Sequence, residues 1–536
     1  MERATKSLLN FIPQSPEKKL IGCDLINKLM EFLMIFRSLA VSALILSLSS
    51  VSCSPLGQKW RVPASYTEKG DIYALIDQLG SDVENPVSSA KECHEGLSQY
   101  YQEFFQLTSD KFDASSLTSE YLDRVIKRSF ETRLLIKEKL KQLTDAQTPD
   151  EVGCLASVRD MIRVLRYVED YMVEIKETKN GDKKGEDYKS LEGLEPYLLV
   201  NPTFKDSFKD WHDLKSGDMI LSRGNAYSSA AIARIGAVDT QFSHLTLVYR
   251  DDSGKLFTVE AHIEIGNVTA EIHEHLESLN AREVVFRFGD AKMAHKAAKM
   301  MYEKVKKRQD KKNNIRYDFG MDYKDNSKLF CSEVIYDGYQ MASEGKLNLP
   351  KFKTKFNRGL IPFLGALGIS VNEQNVDTFD TFAPGDIEFD PRVELVAEFR
   401  NPAKVRDIRM KDAILTNFFK WMESENYAFD PTAMMGIKAH AAWWMRRTPF
   451  IRKKLTEKFP LNMKTAQLKM FMVLDIVAEE FHKELVKIHE GRELPLSPIE
   501  MYQAIEAFKQ KDAALYTKKA TRKKAVFHKY FHPTKR

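Results

Sequence analysis

Apolar residues recur at two different intervals along this chain, and the interval changes twice. Over residues 71–178 they fall three or four positions apart, most clearly within 122–134 and 155–172, which predicts amphipathic helices that pack on one another. The same helical interval returns after residue 401 and continues to the end of the chain. In between, over residues 211–401, apolar and polar residues alternate as they do in half-buried β-strands.

The alternating region predicts a β-sheet with helices around it. Strands are predicted at 218–222, 245–249, 257–265, 283–288 and 393–399. One helix is predicted from Asp290, its N-cap, to about Arg308, and another begins near Ser327 or Cys331. The predicted fold class is therefore α+β, with a mostly antiparallel sheet flanked by N- and C-terminal α-helical regions.

Changes in composition place the boundaries of five segments. A polar, glycine-containing stretch after Lys179 interrupts the helical pattern and is interpreted as a linker. The predicted segments are 1–53, an additional N-terminus with a signal; 65–178, a helical bundle; 179–210, the linker; 211–400, the α+β domain; and 401–536, a helical region with a basic tail.

The length and the charge of the chain limit the class of protein to which it can belong. With 536 residues the chain is too long for one ordinary core, and its 43% hydrophobic and 29% charged residues are typical of a globular protein. A net charge of +5 is small for this length, so we expect no nucleic-acid partner. The last nineteen residues contain eight Lys or Arg and no acid, which indicates either a solvated terminus or a contact for an anionic surface.

The stretch from Met34 to Cys53 has the layout of a secretory signal. Arg37 precedes an apolar run over 39–48, and small residues lead up to Cys53. The stretch is similar to a bacterial lipoprotein signal, in which the cysteine after the cleavage point is lipidated, although Ser50 stands where that family usually has Leu. Lipidation at Cys53 is the primary hypothesis, and plain secretion or an uncleaved anchor is the alternative.

The lipoprotein hypothesis predicts where the protein resides. Met30 precedes the signal, so the true start is Met1, Met30 or Met34. Ser54, rather than Asp, follows Cys53, which in a Gram-negative bacterium implies sorting to the outer membrane. We therefore expect a periplasm-facing lipoprotein of the bacterial cell envelope, held at the membrane by its N-terminal lipid.

Five cysteines occur in the sequence, and the predicted signal accounts for two of them. Cys23 is removed with the signal, and Cys53 carries the lipid. Cys93 and Cys154 remain in an oxidising compartment, where they either form a disulfide or stay as two buried thiols. Cys331 is then left without a partner.

Cys331 stands where a loop rich in Asp and Asn gives way to an apolar-periodic helix. If this helix begins near Ser327, the thiol lies in its opening turns, where unpaired N–H groups and the helix dipole favour a thiolate. The first hypothesis is a reactive cysteine. The alternative is that Cys331 is a small buried hydrophobe.

A cysteine nucleophile needs a base beside it and a third polar group that orients the base. The strands at 245–249 and 257–265 form a predicted hairpin, and a turn centred near Asp252 places His244 opposite Glu260. Taken alone, each residue has an ordinary interpretation: His244 as a strand-end histidine bonded to the backbone, and Glu260 as part of a wet strand face. Together with Cys331, His244 and Glu260 supply the nucleophile, the base and the orienting group that a cysteine-nucleophile mechanism requires.

Five short motifs follow one another across residues 211–400: Gly-Asp-Met-Ile-Leu-Ser, Phe-Ser-His-Leu-Thr-Leu-Val, Val-Glu-Ala, Tyr-Asp-Phe and Phe-Cys-Ser-Glu-Val. Their order resembles the permuted papain-like branch of the NlpC/P60 superfamily, the amidase group typified by YiiX and YaeF. Histidine precedes cysteine here, the reverse of the order in other papain-like enzymes, and this circular permutation defines the branch.

The resemblance implies that Cys331 is the nucleophile, His244 the general base and Glu260 the residue that orients it, with no cofactor. The superfamily contains cell-wall peptidases, amidases, lipid hydrolases and acyltransferases, so the substrate stays open between a peptidoglycan peptide and an acyl lipid. We expect a cell-envelope cysteine hydrolase that cleaves an amide or ester bond. The alternatives are a catalytically idle scaffolding lipoprotein and a lipid acyltransferase or phospholipase that uses the same residues.

Two further positions are weaker candidates. Tyr317 either lines the cleft near Cys331 or simply packs. His273 and His275 lie two residues apart among glutamates, but a metal site needs further ligands and an enclosing fold. The segment is therefore interpreted as solvated and charged, and no metal site is predicted.

Overall fold

The computed structural model describes residues 71–85, 89–145, 153–180, 187–278, 280–445 and 463–534. The predicted signal, with Cys23 and Cys53, and the last two residues of the basic tail lie outside these ranges. Lipidation, the start site and the localisation therefore stay predictions. None of the helices in the described ranges combines the length and the apolar character needed to cross a membrane.

Helices dominate both ends of the described chain, and the strands β1 to β9 occupy its centre, while the short strands β10 and β11 pair within the C-terminal part. The helices α1 to α13 are, in chain order, Ile72–Glu84, Ala90–Phe105, Ser119–Asp145, Cys154–Lys179, Tyr227–Ile232, Ile272–Leu276, Ala291–Asp310, Cys331–Ala342, Ile361–Leu367, Pro402–Glu425, Ala433–Met445, Thr465–His489 and Pro498–Thr517. The strands β1 to β11 are Leu198–Val200, Met219–Gly224, His244–Arg250, Leu256–His262, Gly266–Glu271, Asn280–Phe288, Arg316–Tyr317, Lys328–Leu329, Val393–Arg400, Tyr427–Phe429 and Phe531–Pro533.

Seven strands form one sheet in the order β1-β9-β6-β2-β3-β4-β5, and every neighbouring pair in it is antiparallel. A mixed helix and sheet fold with an antiparallel sheet is therefore confirmed. β1 lies inside the segment interpreted as a linker and pairs with β9 at the edge of the sheet. On β2, Met219 and Leu221 pack into the same core as α7 and α8, whereas Ile220 packs on the opposite face.

The strand predicted at 257–265 is wrong in its last three residues. β4 ends at His262, and the chain turns back at Gly266 to form β5, which was not predicted. Gly266 has a φ of +80°, and a Cβ at this position would lie 2.3 Å from the Ile315 carbonyl oxygen. Only glycine fits this turn. Ile263 and Ile265 continue the alternating pattern past the end of β4, which is why the pattern concealed the turn.

The helix that carries Cys331 begins later than Ser327. Ser327 donates to the Asp325 carboxylate in a local turn, and Lys328–Leu329 then pair with Arg316–Tyr317 as a short parallel ladder. α8 begins at Cys331 itself, after Phe330 as N-cap. The thiol consequently occupies the first helical position, and the preceding ladder fixes the direction in which the chain enters the helix.

The N-terminal helices are joined to each other and to the sheet. A disulfide links Cys93 on α2 to Cys154 at the start of α4, with a Cα–Cα distance of 5.3 Å. α3 and α4 meet β6, β9 and the 3₁₀ segment Pro384–Phe389 through a set of buried ion pairs. We call this set the arginine cluster: Arg133, Arg166, Arg282, Arg400, Glu169, Asp170, Glu388 and Glu398.

The C-terminal helices enclose a second apolar core that is rich in aromatic rings. Phe418 and Trp421 on α10 contact Phe481 on α12, and Phe531 on β11 closes the same core. α11 packs beside α12 and buries only Met435 and Ala439. This helix is thus attached by few side chains and leaves most of its surface exposed.

Candidate active site

Cys331 is the first residue of α8, so its thiol lies at the positive end of that helix. The residue is 5% exposed and is the free cysteine of the described ranges. The backbone N–H of Leu245 on β3 donates to the sulfur, and the hydroxyl of Ser332 lies 3.9 Å from it. The sulfur is therefore surrounded by groups that stabilise negative charge.

His244 begins β3, and its ring has partners on two sides. The Nε2 atom lies 2.9 Å from Oε2 of Glu260, and the ring also forms a hydrogen bond with the thiol of Cys331. An ionised carboxylate only accepts hydrogen bonds, so Nε2 carries a hydrogen and donates it to Glu260. The Nδ1 atom is then the nitrogen that exchanges a proton with the thiol.

The contact between His244 and Glu260 is diagonal, and the predicted register is wrong by two residues. Leu247 pairs with Val259, because the turn spans residues 251–255 and is centred one residue later than predicted. Glu260 therefore falls level with position 246. Diagonal neighbours on the same face of a hairpin remain within reach of long side chains, so the two groups still meet.

Glu260 is almost fully buried and is approached by three histidines. Besides His244, Nε2 of His262 lies 3.4 Å away and Nδ1 of His275 lies 3.2 Å away. Burial alone would raise the pKa of Glu260, but the charge of His275 and hydrogen bonds from all three rings hold its pKa well below the usual range. Glu260 is therefore a carboxylate near neutral pH.

His275 lies in the interior, and the interpretation of its segment as solvated is wrong for this residue. It is 4% exposed and sits on the short helix α6, whose buried face it shares with Ile272 and Leu276. The signal in the sequence that could have identified His275 as buried is this spacing, since His275 follows Ile272 by three residues and Leu276 follows Ile272 by four. Its neighbours His273 and Glu274 are exposed, as interpreted.

His275 lies between two buried carboxylates. Its Nε2 is 3.1 Å from Oε1 of Glu283, on the side of the ring away from Glu260. Burial alone would lower the pKa of His275, but these two glutamates outweigh it and raise the pKa well above the ordinary value. Glu283 is held by Ser190 and by Asn280, whose amide nitrogen lies 2.6 Å away. We call His244, Glu260, His262, His275 and Glu283 the histidine cluster.

The pKa values of His244 and Cys331 move in opposite directions. Burial alone would lower the pKa of His244, but hydrogen bonds to the Cys331 thiol and to Glu260 raise it to about 10. Burial alone would raise the pKa of the Cys331 thiol, but the hydrogen bond and the charge of His244 outweigh it and lower the pKa. These shifts favour a thiolate beside an imidazolium, the form in which a cysteine is nucleophilic.

Two neighbouring residues keep other negative charge away from the thiolate. Burial raises the pKa of Glu333, in the first turn of α8, to about 9, so this side chain is neutral near pH 7. Burial and the nearby charge of Cys331 raise the pKa of Tyr317 well above its ordinary value, so its hydroxyl stays protonated. Tyr317 is close enough to the sulfur to sense its charge, and its ring packs on Phe319.

The histidine cluster also contains a set of side chains that could hold a metal ion. Ligand atoms of His244, Glu260 and His262 all lie within 4.8 Å of one another. Two imidazoles and one carboxylate suit a transition-metal ion such as zinc, and the side chain of His262 is 39% exposed, which would let water complete the coordination. His273, with its charged neighbours, does not belong to this set.

Comparisons with known proteins give one distant similarity. No family model and no curated protein matches the chain. Among solved structures, the metalloprotein YiiX from Escherichia coli O157:H7 is similar, with 17% sequence identity and a TM-score of 0.25. The matched part covers 34% of this chain and 96% of that protein.

Proposed function

We propose that this chain is a cysteine hydrolase that cleaves an amide or ester bond, with a permuted papain-like catalytic domain over residues 211–400. Cys331 is the nucleophile, His244 the general base and Glu260 the residue that orients it. The observation that carries the proposal is the contact of one imidazole with both the thiol of Cys331, at the start of α8, and the buried carboxylate of Glu260.

The reaction proceeds in two steps. The thiolate attacks the carbonyl carbon to form a C–S bond, and the imidazolium of His244 protonates the departing nitrogen or oxygen as its bond to carbon breaks. His244 then takes a proton from water, which attacks the acyl-enzyme and releases the acid and the thiol. If a lipid alcohol replaces water in the second step, the same residues perform acyl transfer.

Backbone groups at the start of α8 supply the oxyanion site. Glu333 and Val334 are the first residues whose N–H groups donate within the helix, both to the Phe330 carbonyl. The N–H groups of Cys331 and Ser332 precede them in the chain. Together with the helix dipole, they stabilise the negative oxygen that forms during attack.

Product analysis tests this function. Purified protein is incubated separately with peptidoglycan fragments and with phospholipid vesicles, and both the products and the mass of the peptide containing Cys331 are measured. We expect turnover on one substrate, an acyl adduct on Cys331, and loss of both in Cys331→Ala. A Cys331→Ala protein with full turnover would contradict the proposal.

A metal-dependent hydrolase is the second candidate, because His244, Glu260 and His262 are spaced to hold an ion. On this hypothesis His244, Glu260 and His262 would hold the ion, which would supply an activated water for hydrolysis, so His262 would be essential while Cys331 would not. Metal content by mass spectrometry, measured together with turnover, separates the two. Turnover that survives His262→Ala but not Cys331→Ala supports the thiol mechanism, and the reverse pattern supports the metal.

The low exposure of Cys331 favours a third candidate, a catalytically idle binding lipoprotein with the same fold. An idle domain would show neither products nor an acyl adduct with either substrate. The localisation in the bacterial envelope is proposed from the sequence of residues 34–54 alone.

A further inference from the structure

A short part of the chain holds more positive charge than the chain as a whole. Residues 291–316, which comprise α7 and the six residues after it, contain ten Lys or Arg and two acids, a net charge of +8, whereas the complete chain carries +5. The remainder of the chain is therefore slightly acidic. Positive charge that is concentrated in one element, rather than spread over the surface, indicates a partner of the opposite sign.

The charged residues of α7 lie on the side of the helix that faces away from the protein. The opposite side packs on α8 and the sheet through five apolar residues: Ala294, Ala297, Ala298, Met301 and Val305. The charged side is a stripe that advances by four, three, four and four residues, which keeps it on one face of a helix. All its members are exposed: Lys292, Lys296, Lys299, Glu303 and Lys307.

Most of these lysines have no acidic partner. Lys304 and Lys306 pair with Asp337 and Asp310, respectively. In contrast, six exposed lysines form no ion pair with a described residue, and we call them the lysine face: Lys292, Lys296, Lys299, Lys307, Lys311 and Lys312. Glu303 is the single acid within the stripe, so the charge of the lysine face stays largely uncompensated.

The positive surface continues beside the first turns of α7. The ammonium of Lys296 donates to the Ala342 carbonyl oxygen at the end of α8, 2.8 Å away. Four residues later, Lys346 lines a cavity of about 630 Å³, which Gly289, just before α7, also lines. The ionisable residues around this cavity are four cations and two acids: Lys141, Lys346, Lys351, Arg392, Asp145 and Glu394. Cations therefore outnumber acids on the surface that adjoins the lysine face as well.

We propose that the lysine face docks on a bilayer that contains anionic phospholipids. From Lys292 to Lys307 the stripe extends about 22 Å along the helix, and its ammonium groups contact lipid phosphates as point charges. None of the large apolar side chains exposed in the described ranges lies on α7, so the contact is with head groups and does not enter the hydrocarbon. This contact is independent of the catalytic proposal.

The composition of this region favours a lipid surface over a nucleic acid. Nucleic-acid sites commonly use Arg, whose planar group bonds two acceptors at once, and aromatic rings that stack on bases. Eight of the ten cations within 291–316 are Lys, and the aromatic residue of α7, Tyr302, packs on Tyr249 and Phe257. A second copy of the chain is also disfavoured, because two lysine faces would repel each other.

Acetylation of lysines, followed by mass spectrometry, locates the contact residue by residue. The full chain with Cys53→Ser is acetylated under single-hit conditions alone, with phosphatidylcholine vesicles, and with vesicles that also contain phosphatidylglycerol. We expect the anionic vesicles to protect the lysine face, and high salt to remove the protection. Phosphatidylcholine vesicles should not protect it, even if residues 1–70 hold the chain on both kinds of vesicle.

The triple variant Lys292→Gln, Lys299→Gln, Lys307→Gln provides the second arm. Each lysine near an anionic surface contributes about fivefold to binding, so the loss of three weakens it about a hundredfold. We therefore expect the lipid concentration for half-maximal protection of Lys311 to rise about a hundredfold.

A second triple variant, with Gln at Lys205, Lys209 and Lys215, is the matched control. It removes the same charge from an exposed segment whose Phe208 and Leu214 pack on the opposite side of the sheet, and it should leave the half-maximal lipid concentration unchanged. Equal acetylation of the lysine face with and without anionic vesicles overturns the proposal. So does equal weakening in the two triple variants, or protection by double-stranded DNA but not by vesicles.

Discussion

Two of the buried charge networks in the described part of the chain differ in the chemistry of their cations. The arginine cluster joins α3 and α4 to β6 and β9, and its positive groups are all guanidinium. The histidine cluster lies where β3, β4 and α6 meet, and its positive groups are all imidazole. An arginine keeps its charge at every accessible pH, whereas a histidine gains or loses a proton. The first network can only hold structure, and the second can also move protons.

The geometry of the arginine cluster fits a structural role. Glu398 on β9 lies 2.7 Å from Arg133, 3.0 Å from Arg166 and 2.6 Å from Arg400. These arginines hold the pKa of Glu398 well below its usual range, although burial alone would raise it. Glu398 therefore keeps its negative charge, which pairs with the fixed charges of three guanidinium groups.

The segment that leads into β3 is one of the places where the two clusters meet. Arg166 donates to the side chain of Gln241, with a distance of 2.8 Å, and Gln241 precedes His244 by three residues. Gln241 has a φ of +61°, a backbone conformation that a non-glycine residue holds only when its surroundings fix it. The arginine cluster thus positions the backbone that leads into His244, the proposed general base.

The largest expected effect is on stability, from Glu398→Gln. The variant leaves three buried guanidinium groups short of a negative partner, and we expect it to lose about 3 to 5 kcal/mol of unfolding free energy. Urea unfolding measures this loss. Glu394→Gln, at the exposed position of the same strand, is the matched control and should change stability little. Equal losses of unfolding free energy in Glu398→Gln and Glu394→Gln would contradict the structural role assigned to the arginine cluster.

The next effect is on reactivity, from His275→Leu. Without this imidazolium, no positive charge lies between Glu260 and Glu283, the pKa of Glu260 rises and its hold on His244 weakens. Each unit by which the thiol pKa then rises lowers the thiolate fraction near neutral pH about tenfold. Alkylation of Cys331 at pH 7 measures the change, and His273→Leu, at the exposed neighbour, should have no effect. Alkylation that is as fast in His275→Leu as in the parent would show that His275 only fills space.

The smallest effect is expected from His262→Ala. Its ring is partly exposed and 3.4 Å from Glu260, and exposed ion pairs contribute at most about 1 kcal/mol, or about fivefold in reactivity. The same variant should weaken inhibition by added zinc, because it removes one of three ligands. If His262→Ala slowed the alkylation of Cys331 as much as His275→Leu does, the exposed and buried members of the histidine cluster would have equivalent effects on the thiol.

The sequence predicted the parts of this arrangement that depend on local pattern. The alternation of apolar and polar residues predicted β3 and β4. The predicted hairpin brought His244 near Glu260, although the centre of its turn was placed one residue too early. The start of α8 was left open between Ser327 and Cys331, because it depends on the ladder with Arg316–Tyr317, a pairing with a remote segment.

The arginine cluster could not be predicted, because its partners are distant in the chain. Arg166 and Glu398 are separated by 232 positions, and no periodicity marks either residue as buried. His275 is an intermediate case. Its position between Ile272 and Leu276 on α6 was visible as a short apolar face, but five residues are too few for a helical period to be distinguished from chance.

The most direct test of the account is the pH dependence of Cys331 alkylation by iodoacetamide, followed by mass spectrometry of the peptide that contains Cys331. The folded pKa of His244 is raised, so the imidazolium persists until the pH approaches about 10 and stabilises the folded state below that pH. The pKa of the thiol is lowered, so the thiolate appears at lower pH than in a free cysteine.

We predict rapid alkylation near pH 7, with a midpoint below the value of about 8.5 for a free cysteine. In His244→Ala the midpoint moves above about 8.5, because burial then acts on the thiol without the opposing charge. A parent midpoint at or above about 8.5 that His244→Ala leaves unchanged would contradict the claim that His244 activates Cys331.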